Sequence, residues 1–551
     1  MTEILDSRLF CGMVINAAAA VESRSQEINE LNVFPVPDGD TGTNMSMTLN
    51  NASRELSKGF PATLGAAAEV TASAMLRGAR GNSGVILSLL FRGMSKFLKD
   101  KQTATCADLA AAMNEGVSAA YKAVMKPTEG TILTVSRLAS AAAAEAAADT
   151  PDIELMLEKA IGIGDVALAN TIEQNPVLKK AGVVDAGGMG YLAILRAFLS
   201  AARGEIIESV RSDPSVKARE ESVFSRFDTE EDIHFPYCTE FIVQKDQDKS
   251  ADLLRDFLSQ IGDSAVVLDD EELIKVHVHT DRPGDVLTEA LTYGSLLTVK
   301  VENMREQHTS KLKEVETADS SAGPKKPEPE NRAPTQPLSI VSVCAGKGLT
   351  DLFYELGADQ VVTGGQTMNP STEDILRAVE RSAGAAVIVL PNNKNIVMAA
   401  QQCAALTDKQ VIVIPTASIP QGISAILAAD LELAPEVNEA EMLEAIKRVS
   451  SISVTYAARD SAFDGLEIRA GQYLALLEGK LLCCTDSMEE LAEKITEAVS
   501  QAELVSIFYG KDVSPDQAQA FHDSLGGRLP EAELSLVDGG QPVYYYLISA
   551  E

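Results

Sequence analysis

The sequence lacks tryptophan and contains only five histidines, none of them before His234. The long first part of the chain must therefore work without imidazole. Seven scattered cysteines, an odd number, argue against a secreted disulfide scaffold and favour a reducing compartment. No apolar run reaches the length of a membrane span, and the start MTEILDSRLF has no basic region followed by an apolar core. We therefore predict a cytoplasmic protein without stable membrane insertion.

Positive charge is also scarce. Lysine and arginine number 47 against 80 aspartates and glutamates, so the formal net charge is −33 over 551 residues. Such a chain repels nucleic-acid phosphates and anionic lipids, so nucleic acid is not expected as a partner. The 45% of hydrophobic residues is typical of a folded protein, and the length suggests three or four domains at about 150 residues each.

Residues 1–203 predict an all-α domain. Apolar residues recur at helical spacing in FCGMVINAAAAVESRSQEINEL and CADLAAAMNEGVSAAYKAVM, and the abundant alanine favours helix. Glycine-rich segments interrupt this pattern at PVPDGDTGTN, RGARGNSG, PTEGT and VVDAGGMG. We therefore expect helices connected by four glycine-bearing loops.

The rest of the chain predicts two α/β domains. Residues 204–233 form a charged connector, and residues 234–316 alternate between strand and helix patterns as a small α/β domain. Residues 317–337 are rich in proline and charge, which is typical of a semi-rigid, solvated linker. From 338 to 551 short apolar strands alternate with helices, which predicts a βαβ series with a parallel sheet and a second part after it.

The segment NVFPVPDGDTGTNM places Asp38 and Asp40 on either side of Gly39. The glycine allows the backbone to turn so that both carboxylates face one point, and such hard oxygen ligands suit Mg²⁺ with substrate phosphates. The following residues enter a helix, whose N-terminal N–H groups suit the phosphates themselves. The alternative is an ordinary aspartate turn without a ligand.

A second loop, Arg77–Gly84, combines three glycines with two arginines, Asn82 and Ser83. Its backbone amides and Ser83 can cradle a phosphate while arginine neutralises charge. It is neither a Walker A loop nor a dinucleotide fingerprint, and the alternative is a glycine-rich helix connection. With the loops Thr128–Thr131 and Val184–Gly188, the four segments predict one composite nucleotide site.

The four segments PVPDGDTGTNM, RGARGNSGVILS, EGTILTV and VVDAGGMGYL together resemble the nucleotide-binding domain of the dihydroxyacetone kinase family. Across essentially the whole chain, the arrangement is similar to the kinase subunit of bacterial fatty acid kinase. The resemblance implies an eight-helix barrel that binds Mg-ATP at one end. It also implies a homodimer and a separate fatty-acid-binding partner of the DegV family, whose acyl chain becomes an acyl phosphate.

The resemblance also assigns roles to single residues. Asp38 and Asp40 match the catalytic, Mg²⁺-binding aspartates, and Asn32 stands nearest to the place of a third aspartate that this chain lacks. An amide oxygen there can bind Mg²⁺ but neutralises no charge. The nucleotide-facing positions fall on Thr41, Thr43, Asn44, Asn82, Ser83, Thr131 and Asp185.

A possible zinc site lies in the middle domain. His277 and His279 share one face of a predicted strand, and Cys238 lies in another strand that could be its neighbour. One thiolate and two imidazoles suit Zn²⁺, with His308 as a candidate fourth ligand. The alternative is two solvated histidines and a buried cysteine. The family's middle domain carries a Cys/His/His metal set at these positions, and the role of the zinc, structural or catalytic, stays open.

The last domain contains a loop, Thr363–Pro370, that follows a predicted strand and resembles a ligand loop. It is interpreted as part of a domain that contacts the carrier protein, or as a structural turn.

The function predicted is ATP-dependent phosphorylation of a carrier-bound fatty acid. A carboxylate acceptor is already ionised at neutral pH and needs no base, which agrees with the histidine-free first domain, although an aspartate could also act as base. One alternative is a kinase for a small hydroxylated substrate such as dihydroxyacetone. Another is a nucleotide-sensing scaffold without turnover.

Overall fold

The computed structural model describes residues 2–32, 39–124, 127–207, 237–245, 249, 251–269, 273–303, 335–365, 369–463 and 466–551. The chain forms two compact units, one of Met1–Val210 with Asn331–Glu551 and the other of Arg211–Glu330. Two residues of the predicted metal sites, Asp38 and His308, lie outside the described residues.

The N-terminal part of the first unit is helical, as predicted. Its helices are α1 (Ser7–Ser23), α2 (Ser25–Asn29), α3 (Thr41–Ser57), α4 (Leu64–Gly78), α5 (Gly81–Leu98), α6 (Cys106–Ala123), α7 (Ile132–Asp149), α8 (Ile153–Gln174), α9 (Pro176–Ala181) and α10 (Ala186–Ala202). A two-residue antiparallel pair, β1 (Ile4–Leu5) with β2 (Ala104–Thr105), joins α1 to α6. The closed barrel that the resemblance implies stays a prediction.

Polar side chains mark where several of these helices begin. Asp6 accepts a hydrogen bond from the backbone N–H of Leu9 at the start of α1, and Thr105 forms a capping box with Asp108 at the start of α6. Such caps satisfy backbone N–H groups that have no partner inside the helix. Within the described residues, no helix is both long and apolar enough to cross a lipid bilayer.

The C-terminal part of the first unit contains the predicted parallel sheet. Its strands lie in the order β10-β9-β7-β8, with β7 (Gln336–Cys344), β8 (Gln360–Thr363), β9 (Gly384–Leu390) and β10 (Gln410–Val413). The helices that accompany it are Lys347–Glu355, Thr372–Arg381, Val397–Cys403, Ile419–Leu427 and Pro435–Ala445. Because β8 lies on one side of β7 and β9 on the other, the loops after β7 and β9 diverge, which creates a crevice typical of ligand sites.

A second sheet follows, mostly antiparallel, in the order β15-β14-β11-β18-β16-β17. Its strands are β11 (Ser450–Tyr456), β14 (Tyr473–Leu477), β15 (Lys480–Thr485), β16 (Leu504–Tyr509), β17 (Glu533–Asp538) and β18 (Tyr546–Ala550). A small pair, β12 (Ser461–Phe463) with β13 (Leu466–Ile468), precedes β14, and helices Met488–Ala498 and Pro515–Gly526 complete this part.

The helical part and the parallel sheet share one hydrophobic core. The core that contains Phe91 and Phe198 of the helices continues through Val341 and Val389 of the sheet without interruption. Helix Thr372–Arg381 packs on α4, and helix Val397–Cys403 packs on α5. Since burial of apolar surface is the main stabilising force, the two parts form one body, a relationship that sequence patterns do not show.

The second unit contains a four-stranded antiparallel sheet in the order β4-β5-β3-β6. Its strands are β3 (Tyr237–Lys245), β4 (Gly262–Asp269), β5 (Leu273–Thr280) and β6 (Gly294–Asn303), and its helices are Ala251–Ile261 and Pro283–Ala290. Phe241, Val243, Val276 and Val278 are buried from β3 and β5 and form one face of this sheet.

Candidate functional site

A cavity of about 420 Å³ lies between the helical part and the C-terminal part of the first unit. One wall is helical and contains six of the residues predicted from the sequence: Asn32, Asp40, Thr41, Asn44, Asn82 and Ser83. Thr43, Thr131 and Asp185 do not line this cavity. The structure thus brings the first two predicted loops together at one site.

The start of α3 is already capped. The side-chain oxygen of Asn29 accepts hydrogen bonds from the backbone N–H groups of Gly42, at 2.7 Å, and Thr43, at 3.2 Å. Its amide nitrogen donates to the Thr43 hydroxyl at 3.0 Å, and Thr43 does not line the cavity. The N-terminal N–H groups of α3 that the sequence suggested for phosphate are therefore partly used inside the protein.

The start of α5 differs in this respect. Its N-cap is Arg80, whose side chain makes no capping hydrogen bond, and Asn82 and Ser83 of its first turn line the cavity. Gly81 adopts a φ of 57°, and a Cβ there would overlap the side-chain amide nitrogen of Asn44. An uncapped helix N-terminus with partial positive charge at a polar cavity fits a phosphate group, so α5 suits this role better than α3.

Asp40 contacts the C-terminal part of the chain directly. The side-chain amide of Asn369, which is fully buried, donates a hydrogen bond to Asp40 Oδ2 and lies 3.5 Å from Asn44 Oδ1. Arg80 donates from Nη1 to the backbone oxygen of Asn369 at 2.5 Å and from Nη2 to Asp374 at 3.3 Å. The candidate ligand loop of the last domain therefore reaches the predicted metal site through Asn369.

Three buried polar atoms at this junction have no hydrogen-bond partner within the described chain: Arg80 Nε, Asn82 Oδ1 and Asn369 Oδ1. Buried polar groups are normally hydrogen-bonded, so these atoms indicate a place where a polar ligand or its water fits. Arg80 Nε and the N–H groups at the start of α5 are donors that suit phosphate oxygens, whereas the Asp40 carboxylate and the two amide oxygens are acceptors that suit Mg²⁺ or its bound water.

The opposite wall of the cavity comes from the C-terminal part. It contains Asn393 and Lys394 after β9, Ser418 before helix Ile419–Leu427, and Glu478 in the β14–β15 turn. Within the described chain Lys394 forms no ion pair. The ammonium group of Lys394 and the side-chain amide of Asn393 thus lie on the wall opposite Asp40.

Residues with a positive φ occur at or beside this wall. Among the described residues, the non-glycine residues with positive φ are Asn392 (55°), Glu478 (50°) and Val543 (72°). Asn392 and Glu478 line the cavity, and Val543 precedes Tyr544, which also lines it. A positive φ is unfavourable for a β-branched residue, and such strain clusters at functional sites. Glu478 and Gly479 form the two-residue turn between β14 and β15, where a positive φ is ordinary, and asparagine adopts this region readily. Val543 is therefore the strained residue of the three, and it lies beside the cavity without lining it.

Asn32 lies at the edge of the cavity. Its side-chain oxygen accepts from the Thr41 hydroxyl at 3.1 Å, and its side-chain nitrogen donates to Asn29 O at 2.7 Å. Arg459 donates to its backbone oxygen at 2.8 Å. A metal ion at the side-chain oxygen would have to share it with Thr41, so the ligand role of Asn32 stays a prediction.

Thr131 and Asp185 are helix caps. The Thr131 hydroxyl accepts from Leu133 N at 3.4 Å at the start of α7, and Asp185 Oδ2 accepts from Gly188 N at 2.7 Å at the start of α10. Burial raises the pKa of Asp185 to about 6, although hydrogen bonds from the N–H groups of Gly188 and Ile132 oppose the shift. Their predicted place near the nucleoside stays a prediction.

Three of the predicted zinc residues lie on two neighbouring strands of the second unit. Cys238 of β3 pairs directly with His279 of β5, and His277 pairs with Glu240. The side chains of Cys238, His277 and His279 lie outside the part of the structure that is described. Among the residues searched, which are those the structure describes, no group of three or more potential metal-binding side chains occurs. Zinc stays a prediction.

Sequence patterns missed Asn29, Asn369 and the second cavity wall. Asn29 carries no motif, and it is separated from Gly42 by 13 positions. Asn369 lies in the glycine-rich Thr363–Pro370 loop, which did signal a ligand, but nothing local shows that this loop reaches Asp40, 329 positions away.

Comparison with family models gives three matches along the chain. The DAK2 domain matches residues 35–200, the FakA-like middle domain of fatty acid kinase matches 234–311, and the FakA-like C-terminal domain of fatty acid kinase matches 339–551.

Similar whole proteins occur in other bacteria. Protein YloV of Bacillus subtilis (strain 168) is 42% identical over 557 residues, covering 99% of each chain. An uncharacterized protein of Staphylococcus aureus (strain N315) is 40% identical over 559 residues, covering 100% of each chain.

Similarity to solved structures is more distant. A DegV family protein from Thermus thermophilus, described as binding fatty acid, aligns with a TM-score of 0.30 and 17% identity over 39% of this chain and 100% of that chain. The dihydroxyacetone kinase of C. freundii aligns with a TM-score of 0.28 and 15% identity over 39% of this chain and 48% of that chain. These two likenesses carry no functional argument.

Proposed function

The chain belongs to the FakA-like fatty acid kinase family with a DAK2 domain, and from this premise we propose that it transfers the γ-phosphoryl group of ATP to the carboxylate of a fatty acid. The fatty acid is presented by a separate DegV-type binding protein, and the product is an acyl phosphate. The observation that carries the proposal is the cavity between Asp40 and the uncapped start of α5 on one wall and Lys394 on the other.

The helical wall would hold the nucleotide phosphates. The backbone N–H groups and side chains of Asn82 and Ser83 lie at the positive end of α5. Asp40 would supply a carboxylate for Mg²⁺, together with the predicted ligand Asp38, which lies outside the described residues. Bound Mg²⁺ neutralises charge on the transferring phosphoryl group. Arg80 orients the Asn369 loop and places a second positive charge close to the site.

The second wall would receive the acceptor. A carboxylate oxygen attacks the γ-phosphorus, the bond to the β–γ bridging oxygen breaks, and ADP leaves with that electron pair. No proton moves in this step, because the carboxylate is already ionised. The Lys394 ammonium would orient the carboxylate, so catalysis depends on positioning and electrostatic stabilisation.

The side chains around the cavity agree with an acceptor that needs no deprotonation. The residues that line the described cavity include no histidine, and its ionisable side chains are those of Asp40, Lys394, Glu478 and Tyr544. A hydroxyl acceptor such as dihydroxyacetone would require a base; Asp40 is assigned to the metal, which leaves Glu478 as the carboxylate of the lining that could take this role.

The test measures ADP release and traps acyl phosphate with hydroxylamine. Full-length protein is supplied with Mg-ATP and either a lipid-loaded DegV-type partner, free fatty acid or dihydroxyacetone. Hydroxamate formed only with the loaded partner supports the proposal. Turnover with dihydroxyacetone would indicate the small-molecule kinase, and nucleotide binding without any turnover would indicate a sensor.

We also propose the homodimer and the Cys238, His277 and His279 zinc site of the second unit. Sedimentation of the full chain tests the first, and elemental analysis tests the second.

A further inference from the structure

We propose that the C-terminal part of the chain completes the metal–phosphate site, with Asn369 as the positioning residue that orients Asp40. This inference rests on the proposed kinase site, but it concerns how that site is assembled. It makes Mg-nucleotide binding depend on the docking of residues 369–372 against Ala79 and Arg80, which directly precede α5.

The first support is the contact itself. Asn369 is fully buried, and its side-chain nitrogen donates to Asp40 Oδ2. When one oxygen of a carboxylate accepts such a bond, its other oxygen is held in a defined direction, as in metal sites where a neighbouring hydrogen bond orients the ligand. Asn44 Oδ1 lies 3.5 Å from the same amide nitrogen.

The second support is the way in which the loop is fixed to the helical part. Arg80 binds the backbone oxygen of Asn369, and the backbone N–H of Thr372 donates to Ala79 O at 3.1 Å. Arg80 and Ser371 also form an isolated antiparallel bridge. Side-chain and backbone contacts therefore hold Asn369 against the residues immediately before α5.

The third support is the unsatisfied oxygen of the same side chain. Asn369 Oδ1 and Asn82 Oδ1 are both buried without a partner in the described chain. Both are acceptors, so they suit N–H or O–H donors such as water molecules in the hydration shell of a divalent cation. The side-chain nitrogen of Asn369 thus donates to Asp40, while its side-chain oxygen stays available to accept from a bound ligand or water.

These contacts couple the docking of residues 369–372 to the binding of Mg-nucleotide. If docking of the loop strengthens Mg-nucleotide binding, then Mg-nucleotide must strengthen docking by the same factor. The Thr372 amide reports the docking directly, because it bonds across the junction to Ala79.

The experiment uses the full chain and a fluorescent ADP analogue titrated at increasing Mg²⁺. Asn369→Ala and Asn369→Ser should raise the Mg²⁺ concentration for half-maximal nucleotide binding by about 10- to 100-fold. Both changes reduce side-chain size at a buried position, so neither introduces an overlap. Asn438→Ala is the matched control, since Asn438 is buried in the same part of the chain and bonds the Asp430 backbone. It should lower the melting temperature without changing the Mg²⁺ dependence.

Hydrogen exchange provides a second readout. Mg-ADP should slow exchange of the Thr372 amide in the wild type and much less in Asn369→Ala. A Mg²⁺ dependence within about twofold of wild type in both Asn369 variants, or equal protection of Thr372 in both proteins, would overturn the inference. Failure of acyl phosphate formation with intact Mg-ADP binding would count against the proposed function alone.

Discussion

Arg80, which precedes α5, forms an ion pair with Asp374 of helix Thr372–Arg381 at 3.3 Å, and the two residues are 294 positions apart in the chain. The Arg80 side chain is 18% exposed and that of Asp374 38%, so the pair is only partly screened by solvent. Asp374 also closes the capping box of its helix with Ser371. One arginine therefore connects the start of the phosphate-facing helix, the Asn369 loop and a helix cap.

Replacement of this arginine should loosen the junction. Arg80→Met removes the donors to Asn369 O and to Asp374, and we expect a loss of about 1–3 kcal/mol in the free energy of unfolding. The control is Arg377→Met, on the helix that contains Asp374. It breaks an exposed pair with Glu373 and should change the free energy of unfolding by about 0.5 kcal/mol or less. Scanning calorimetry of the full chain measures both, and equal effects would show that Arg80 has no special role.

Asp40→Asn should abolish Mg²⁺-dependent phosphoryl transfer and leave the fold intact. The change keeps the shape of the side chain but removes the charge that binds the metal, so we expect turnover to fall by at least about 100-fold. Asp100→Asn, at an exposed position of the same helical part, is the charge-matched control. Near-normal turnover of Asp40→Asn at moderate Mg²⁺ would contradict the assignment.

Lys394→Met tests the second wall of the cavity. Loss of one charged hydrogen-bond donor to the acceptor should lower kcat/KM for the loaded partner by about 10- to 100-fold, equivalent to about 1.4–2.7 kcal/mol. Nucleotide affinity should stay unchanged, because the phosphates lie against α5. Lys447→Met, which removes a lysine paired with Glu444 on the surface, is the control. A selective loss of nucleotide binding would instead place the phosphates against Lys394.

Asp185 should give a pH-dependent contribution to stability. Its folded-state pKa, about 6, lies above the ordinary value, so the native state binds this proton more tightly than the unfolded state. Stability is therefore lost as pH rises from about 4 to about 6. Asp185→Asn removes this titration, so wild type should lose up to about 3 kcal/mol relative to the variant over that range. Denaturant unfolding at pH 4 and pH 7 measures the difference, and a constant difference would show that Asp185 titrates normally.

Zinc content is the test of the second unit. We expect about one Zn²⁺ per chain in wild type and almost none in Cys238→Ala, because a thiolate ligand binds zinc only as part of a complete set. His522→Ala is the control, since His522 lies partly exposed on helix Pro515–Gly526 and contacts Asp523 at 3.0 Å. Metal-free wild-type protein purified from zinc-supplemented cells would refute the site.

Local sequence patterns were sufficient to predict the helices of residues 1–203 and the residues of the helical wall of the cavity. The 3.6-residue period and the alanine content of residues 1–203 predict helices, because they depend only on which residues share a helix face. The clustering of Asp40, Asn82 and Ser83 was also predictable, since glycine-rich loops with carboxylate and hydroxyl groups suit few other roles. The resemblance to a kinase family rests on these same loops.

Only the tertiary structure shows which residues of the C-terminal part face the glycine-rich loops of the helical part. Asn369 meets Asp40 across 329 positions of chain because a buried core joins the helices to the sheet and directs the loops at the carboxyl ends of β8 and β9 towards α5. The capping of α3 by Asn29 and the open start of α5 likewise depend on which side chain lies near each helix end. Sequence determines such elements through local periodicity, whereas the partners of a site are set by burial of distant surfaces, which has no local signal.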